Sequence, residues 1–521
     1  MLWIALEFPH LSLEAVNRCG GSGSNDGMSD VGSHDLMRDL PVVVTDGPAA
    51  RPILHAINAA ARDAGMNAGM TLASARAMES SLVALPRAPQ KETQCVLQIA
   101  AWCSQFTPSV SHAKHCVVLE VSASLRLFGG IAKLASQIRQ GMVAMGYRAL
   151  IGIAPTPLAA QLLAKMTQYQ TGVRMCQHIA QLDERLAQIP LTLFDWSYET
   201  LTTLSTLGLT RIKDLLAQSR EGLRRRFGAS MLADLDRALG KKPDPRLYVT
   251  LPDKFRSDIE LVFELIESER LLHPINAMLT EMEGFLRARG AGVTALTLSL
   301  KHSRDDSTEI IFDTRTPARD VSHWLRLIRE RFNMISLKTA VVAITLKANR
   351  LCPFKEVNES FFPGTETGSK KRDGLMDRLT SRLGEDNVFS IAIKDDHRPE
   401  SSWQIGAHQK LVEVSSKRAE QSSPASQKAN PPTSQPVTAQ TIQRPTWLLR
   451  EPRSLNTVND CPQYHGALTI LAGPERIETG WWDNKPVARD YFIARNPRQE
   501  VCWIFRDYRL GKRWYLHGMF A

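Results

Sequence analysis

The chain has 521 residues and a mass of 58.1 kDa, enough for several domains of roughly 100 to 200 residues each rather than for one core. Its formal charge is +10, with a pI near 9.2, although only 23% of its residues are charged. This predicts a folded protein with a moderate basic excess, which favours an anionic partner, nucleic acid first. The eight cysteines form no CxxC pair, and no signal peptide or apolar run of about 18 residues is recognised. A reduced, cytoplasmic protein without a membrane span is therefore expected.

The N-terminal part predicts strands and short helices around an insertion. Residues 1–8 (MLWIALEF) form a hydrophobic run, which indicates a strand. Residues 20–39 are rich in Gly, Ser and Asp, and predict a disordered insertion. Residues 41–46 are typical of a strand, and the Ala-rich stretch 53–78 predicts short helices separated by glycines.

A central strand is predicted at residues 116–121, where a short apolar and β-branched run ends in Ser-Ala-Ser. The two glycines at 129–130 precede a predicted helix at 131–145, which is followed by a strand at 147–154 and a helix at 157–166. His115 and Cys116 stand at the start of the central strand. Imidazole and thiol are soft or borderline ligands, whereas magnesium needs hard oxygen ligands. One Cys with one His also falls short of a zinc site, so neither a metal nor another cofactor is predicted.

The segment 119–130 (LEVSASLRLFGG) resembles the palm strand of the Y-family (translesion) DNA polymerases. The likeness is strongest to their DinB/UmuC-related, catalytically inactive relative in the bacterial mutasome. In an active palm, an Asp-Glu pair stands where this chain has His115 and Cys116, and a further Asp stands where it has Ala5. The resemblance therefore implies a polymerase fold without catalysis.

The segment 59–70 (AAARDAGMNAGM) resembles the fingers of the same family, where a Tyr and an Arg hold the incoming triphosphate. Arg62 matches that Arg, whereas Ala59 stands at the Tyr position. The resemblance implies that Arg62 is what remains of a nucleotide site.

Residues 201–218 (LTTLSTLGLTRIKDLLAQ) predict a helix, a Gly-centred hairpin and a second helix. They resemble a helix-hairpin-helix element, in which amide groups at the hairpin and at the second helix's N-terminus point at DNA phosphates. A basic run follows closely. The predicted DNA-binding residues are Gly208, Lys213, Arg224, Arg225 and Arg226.

Residues 255–351 predict a β-α-β-β-α-β order, which resembles the Y-family little finger. Beyond it, residues 357–363 (VNESFFP) resemble the bacterial sliding-clamp-binding peptide Gln-x-x-Leu-Phe. Asn358 takes the place of the Gln, and Phe361 and Phe362 are predicted to fill the clamp's hydrophobic pocket, with Ser360 between. The alternative is that the two aromatic residues cap the preceding domain.

Residues 415–444 contain almost no large apolar residue and predict a disordered linker. Beyond it, order returns in strand-like runs with aromatic and basic residues. This region closely resembles the C-terminal region of the mutasome protein and predicts a partner-binding surface. A platform for single-stranded DNA and a small core are the alternatives. The candidate partner-binding residues are Trp481, Trp482, Arg489, Tyr491, Trp503 and Trp514.

The expected fold is a multidomain α/β polymerase-like right hand with a helix-hairpin-helix thumb, an α+β little finger, a disordered linker and a small β-rich C-terminal region. The expected boundaries are 1–18 and 80–188 for the palm, 19–79 for the fingers with the insertion, 189–250 for the thumb, 251–352 for the little finger, 353–397 for the clamp-motif segment, 398–445 for the linker and 446–521 for the C-terminal region.

The resemblance implies a non-catalytic adaptor in SOS-induced mutagenic translesion synthesis and DNA repair. Its implied partners are DNA, the sliding clamp (β) of DNA polymerase III, ImuA and the error-prone C-family polymerase ImuC. The alternative is an active translesion polymerase with displaced metal ligands, for instance Glu7, Glu120 and Asp46.

Overall fold

A computed structural model describes residues 1–16, 40–167, 174–303, 306–335, 337, 339–354, 365–384, 387–406, 444–509 and 511–520. The chain divides into two compact units, Met1–Arg382 and Leu383–Ala521. No helix within the described ranges is long and apolar enough to cross a membrane.

The first unit is built around a five-stranded sheet with the order β5-β6-β1-β7-β8. Its two central strands alternate their side chains between two cores. Ile4 and Leu6 pack on one face against α4 and α5, whereas Trp3 and Ala5 pack on the other against α6. The elements are β1 (Trp3–Glu7), α1 (Leu11–Val16), α4 (Pro89–Cys103), β5 (Val110–Ala113), β6 (Cys116–Glu120), α5 (Ile131–Ala144), β7 (Leu150–Ala154), α6 (Pro157–Met166) and β8 (Arg174–Met175).

A small three-stranded sheet, with the order β3-β2-β4, carries two short helices. Asn58 caps the first helix by accepting the Ala61 N–H, and Thr71 caps the second by accepting the Ser74 N–H. The elements are β2 (Val42–Asp46), β3 (Ile53–Ile57), α2 (Ala59–Asp63), α3 (Leu72–Met78) and β4 (Val83–Pro86).

Short helices follow the first sheet. They share a hydrophobic core with α6 and with the face of the sheet that α6 covers. Thr156 ties the last of them to this face, since its hydroxyl donates to the Ala238 carbonyl at 2.9 Å. The helices are α7 (Leu182–Leu186), α8 (Tyr198–Thr206), α9 (Ile212–Leu216) and α10 (Arg220–Ala238).

The predicted β-α-β-β-α-β order is present in residues 255–348 as an antiparallel sheet, β11-β10-β12-β9, with two helices on one face. Alternating side chains of each strand enter one core with the helices. The elements are β9 (Phe255–Leu265), α11 (Ser268–Ala288), β10 (Ala291–His302), β11 (Ser307–Ala318), α12 (Val321–Phe332), β12 (Val341–Ala348) and β13 (Leu351–Pro353), which pairs with β10. A further helix, α13 (Thr365–Leu383), follows.

Trp102 of α4 joins this domain to the first sheet. Its indole ring lies between two glycines, Gly141 of α5 and Gly284 of α11. A Cβ added at either glycine would lie 2.1 Å from the ring. The tether to β9 is also fixed, because the Val249 N–H donates to the Val110 carbonyl at 2.8 Å. The two domains therefore pack directly through helix surfaces in which only glycine leaves room for the indole.

The second unit contains an antiparallel sheet with the order β16-β22-β21-β20-β19, which has an apolar cluster on each face. Two hairpins accompany it. The elements are β14 (Ser390–Ile393), β15 (Trp403–Gly406), β16 (Trp447–Ser454), β17 (Asn456–Val458), β18 (Cys461–Gln463), β19 (Thr469–Thr479), β20 (Val487–Arg495), β21 (Val501–Asp507) and β22 (Arg513–Met519).

The expectation of an α/β chain with a β-rich C-terminal region is confirmed. Two parts differ from the sequence interpretation. Residues 398–406, assigned to the linker, form a helical turn and β15, which pairs with β14. Helix α13 lies in a stretch that the sequence pattern identifies only as a motif-bearing segment. Neither is apparent from the sequence because both are mostly polar, and their order comes from contacts with distant residues.

The packing of Trp102 predicts opposite effects for the same substitution at two helical glycines. Gly284→Ala forces a methyl group into the indole, and overpacking of this kind costs roughly 1–3 kcal/mol. Gly374→Ala in α13 meets nothing within 4 Å, so the better helix propensity of Ala should stabilise that helix by up to about 1 kcal/mol. Calorimetric melting of both variants measures the difference. Equal effects would show that the indole does not fill the space beside Gly284.

Candidate functional site

The centre of the first sheet holds Ala5 and Cys116, two of the positions at which the resemblance predicts the metal ligands of an active polymerase palm. Pairing of β1 with β6 places Glu7 opposite Cys116 and Ala5 opposite Val118. Ala5 is fully buried in the core. Glu7, rather than Ala5, is therefore the residue of β1 that lies beside the start of β6.

His115 does not share this site. His115 belongs to the two-residue turn between β5 and β6, whereas Cys116 is the first residue of β6. His115 Nε2 lies 3.4 Å from the buried carboxylate of Glu92, which Arg87 binds at 2.8 Å. Burial, the largest cause, lowers the pKa of His115, whereas hydrogen bonding to Arg87 lowers the pKa of Glu92 to about 2. His115 therefore lies against Glu92, whereas Cys116 lies beside Glu7. That His115 and Cys116 replace the metal-binding pair of an active palm stays a prediction.

Glu7 and Cys116 interact with each other and with a lysine. Burial raises the pKa of Glu7 to about 7, while the nearby Lys165 ammonium and a hydrogen bond with Cys116 oppose that rise. Burial also raises the pKa of the Cys116 thiol. Lys165 Nζ itself binds the Leu193 carbonyl at 3.2 Å and Asp195 at 3.0 Å. A carboxyl group that is partly protonated near pH 7, a neutral thiol and a fixed ammonium make a poor environment for a divalent cation.

The described ranges hold no group of three or more His, Cys, Asp or Glu side chains arranged for a metal ion. The carboxylates of the alternative hypothesis are also far apart. Glu120 pairs with Trp3, at the other end of β1 from Glu7, which is about 13 Å along a strand. Asp46 is held by Arg87 at 2.9 Å. The three acids therefore do not form one site.

Arg62 lies exposed on α2, in the small sheet domain. It belongs to a basic neighbourhood, because Arg148 and Arg62 both help to lower the pKa of His10, after burial as the main cause. Ala59, at the start of the same helix, offers no hydroxyl. The structure thus leaves Arg62 available to solvent but without the second group of the expected triphosphate grip.

The predicted hairpin between α8 and α9 is present. Gly208 has a positive φ of 74°, a conformation that favours glycine. The Gly208 N–H donates to Ser205 at 2.9 Å, and the Leu209 N–H donates to Leu204 at 2.9 Å. This is a Schellman motif, with Leu209 packed on the core that contains Leu204. The turn at Gly208 is therefore present where the sequence predicts it.

The expected role of the hairpin amides is not supported. Leu207, Gly208 and Leu209 donate back to α8, and Ile212 and Lys213 donate to the Ile189 and Ala187 carbonyls. Asp214 accepts the N–H groups of Thr210 and Arg211 at 3.0 and 2.8 Å. Each amide from 207 to 213 thus has an acceptor inside the chain. Phosphate binding here would depend on side chains such as the exposed Lys213.

The arginine run lies at a corner of α10. Gly228 has non-helical angles, φ 85° and ψ 174°, which divide the helix. Arg220 binds Asp236 at 2.6 Å although the two are sixteen residues apart, a separation of about 24 Å in a straight helix. The two pieces therefore fold back on each other. Arg224, Arg225 and Arg226 are exposed at the end of the first piece, and Arg225 also binds Glu221.

The exposed face of the β11-β10-β12-β9 sheet carries both signs of charge. Strand register places its charged residues on the face opposite the core, so this face has no basic excess. Uniform phosphate contacts need positive charge. The residues are Arg256, Lys301 and Lys347 with Asp258, Glu260, Glu309 and Asp313.

The clamp-motif residues Asn358, Ser360, Phe361 and Phe362 lie outside the described residues. Their prediction therefore rests on the sequence alone.

Most of the predicted partner-binding residues of the second unit form its interior. Trp503 is 0% exposed and stacks on Tyr491 at 4.1 Å, while Trp514 packs in the cluster on the other face. These three residues are core, as the alternative interpretation predicts. Trp481 and Trp482, by contrast, are 78% and 55% exposed and touch edge to face.

Arg489 is mostly buried and joins the sheet to the segment before the linker. Its guanidinium donates to Glu400 at 2.8 Å and to the Tyr491 hydroxyl at 3.1 Å. His517, fully buried, meets the same hydroxyl at 2.9 Å, and burial lowers its pKa to about 4. Arg489 therefore stabilises the fold of the second unit and is not part of an exposed partner-binding surface.

Arg398 is a functional candidate that the sequence does not indicate. Its buried guanidinium binds Asp396 at 2.7 Å and Asp483 at 2.5 Å. Asp483 directly follows Trp481 and Trp482 in the sequence. No local pattern pairs residues separated by more than eighty positions, so only the fold reveals this anchor.

Residues 30–165 match the model of the impB/mucB/samB family (IMS). The chain is 23% identical over 486 residues to Protein ImuB of Caulobacter vibrioides (strain NA1000 / CB15N), a match that covers 88% of this chain and 100% of that protein. It is 27% identical over 200 residues to DNA polymerase IV of Dehalococcoides mccartyi (strain CBDB1), covering 37% of this chain and 50% of that one. These matches confirm the resemblance predicted from the sequence, to the Y-family and in particular to ImuB.

Two similar solved structures are DinB from Sulfolobus solfataricus and an insertion ternary complex of Dbh DNA polymerase. The TM-scores are 0.37 and 0.38, each at 15% identity, and each covers 68% of this chain and 100% of the other.

The raised pKa of Glu7 predicts that stability falls as pH rises. The folded state holds the Glu7 proton more tightly, so the contribution of Glu7 to stability is largest below about pH 4.5 and falls by about 1.4 kcal/mol per pH unit until about pH 7. Glu7→Gln mimics the protonated form and should melt like the wild type at pH 4.5 but higher at pH 8. Glu14→Gln should show a larger gain, since burial raises the pKa of Glu14 to about 8. Calorimetry across this range would contradict the assignment if both variants followed the wild-type curve.

Proposed function

We propose that this relative of the Y-family polymerases is a non-catalytic adaptor that acts in the cytoplasm during SOS-induced mutagenic translesion synthesis. It binds DNA and links the sliding clamp (β) of DNA polymerase III to ImuA and to the error-prone C-family polymerase ImuC. It needs no metal or other cofactor, because it carries out no chemistry of its own.

The arrangement around Glu7 carries this proposal. Two-metal phosphoryl transfer needs several carboxylates in one site, and here Glu7 stands beside a neutral thiol and the Lys165 ammonium. Ala5 is buried in the core and cannot ligate. The alternative of an active polymerase requires Glu120 and Asp46 to join Glu7, and the strand register keeps Glu120 away.

The α10 corner supports DNA binding. Three adjacent arginines are exposed there, beside a hairpin whose Lys213 is also exposed. They lie at the C-terminal end of a helical piece, where the helix dipole favours cations. Contacts of this kind position a protein on DNA without reading its sequence.

The exposed Trp481–Trp482 pair supports partner binding by the C-terminal region. Tryptophan is enriched at the energetic centres of protein interfaces, and this pair lies beside the Asp483 that Arg398 anchors. Such an anchor reduces the ordering cost of binding. The buried aromatic residues of the region contribute to its fold.

DNA binding by the arginine run is expected to be electrostatic. Replacing Arg224, Arg225 and Arg226 with Ala should weaken duplex binding similarly for all sequences and reduce the salt slope by up to about 0.9 for each phosphate that is no longer neutralised. Binding is measured by fluorescence anisotropy at salt concentrations from about 50 to 200 mM.

The control removes the same charge at three other exposed positions of the chain, Arg51, Arg139 and Arg498. If the salt slope is unchanged in the triple arginine variant, or is reduced equally in the control, the three arginines are ordinary solvated surface residues and not a DNA-binding site.

Clamp binding tests the adaptor function. Phe361→Ala with Phe362→Ala removes two aromatic anchors, each worth roughly 2 kcal/mol or more, so affinity should fall at least about a hundredfold. Calorimetric titration of the full chain with the purified clamp measures this.

A control variant, Phe389→Ala, removes an exposed aromatic residue elsewhere and should bind like the wild type. Retained clamp binding by the double variant would refute the motif. A large fall in its melting temperature would instead show that the two residues pack within the chain.

A further inference from the structure

Helix α13 packs on the preceding domain through polar groups. Asp377 is buried and accepts the Arg315 N–H at 3.4 Å. One turn later, the Ser381 hydroxyl donates to the Leu327 carbonyl of α12 at 2.9 Å. The side of the helix that faces the protein is therefore its polar side.

The opposite side is apolar and exposed. Leu375 and Leu379 are 53% and 36% exposed. We call these residues the leucine stripe. Their spacing of four places them along one side of the helix, about one turn apart. A surface helix normally turns its apolar side toward the protein. In α13 the polar side faces the protein and the apolar side faces solvent, which indicates a surface that another molecule covers.

The charges beside the leucine stripe are positive. Arg372 and Arg382 are exposed, and helical geometry places both on the same side as the leucines. The acids of this part of the helix are less exposed: the Asp373 side chain, which lies 3.8 Å from Arg372 Nε, is 20% exposed, and that of Asp377 is 4% exposed. An acidic partner thus gains both apolar burial and ion pairs here.

We propose that the leucine stripe binds an amphipathic α-helix of a partner protein, whose apolar residues pack on the leucines and whose flanking acids pair with Arg372 and Arg382. The helical spacing favours this occupant, because a partner helix presents apolar residues at the same interval. The inference extends the proposed adaptor function, but it depends on neither the clamp motif nor DNA.

The probe is a synthetic acidic helix of about three Leu/Glu heptads, with a matched peptide that has Lys in place of Glu. Fluorescence anisotropy with the full-length chain should show binding of the acidic peptide alone. Leu375→Gln with Leu379→Gln should weaken it at least tenfold, whereas Leu127→Gln, at another exposed leucine, should not. Arg372→Gln with Arg382→Gln should flatten its salt dependence.

Equal binding of the basic peptide, or an equal loss in the Leu127 variant, would overturn the proposal. Lower melting temperature in the leucine variant would show that the stripe is covered within the chain, and self-association lost in that variant would make a second copy the occupant. Either result also overturns it. Clamp binding should persist in the leucine variant, so the adaptor function and this inference can fail separately.

Discussion

The pairing of β1 with β6 is the constraint on which the centre of the first unit depends. Its register places Glu7 beside Cys116, whereas His115, in the turn before β6, lies against Glu92. Because the same alternation sends apolar side chains into two cores, a shift of register would expose both. The residues beside Glu7 therefore cannot be rearranged without disrupting the sheet.

A second constraint acts between domains. The Trp102 indole fits between two glycines, and the tether at Val249 hydrogen-bonds to β5. The sheet that follows is thus attached to the domain of the first sheet through an interior-like contact, while its open face carries balanced charge. The corner of α10, by contrast, presents three adjacent arginines to solvent.

The sequence predicts those features that depend on local patterns. The β-α-β-β-α-β order and the Gly208 hairpin follow from periodicity and turn chemistry, and both are present. The sequence does not show that Glu7 lies beside Cys116, because register is set by strand pairing and not by spacing along one strand. Trp503 and Tyr491 are wrongly assigned to a binding surface because alternation shows that residues share a face, but not which face is covered.

The ion pairs of Arg398 show which parts of the chain residues 407–443 connect. Asp396 and Asp483 bind the same guanidinium, so the chain on both sides of this stretch belongs to one compact unit. The stretch therefore connects two parts of one compact unit rather than two domains. That unit is built from two segments, 387–406 and 444–520, which are far apart in the sequence. Proteolytic cleavage within the stretch 407–443 would yield two fragments that remain associated.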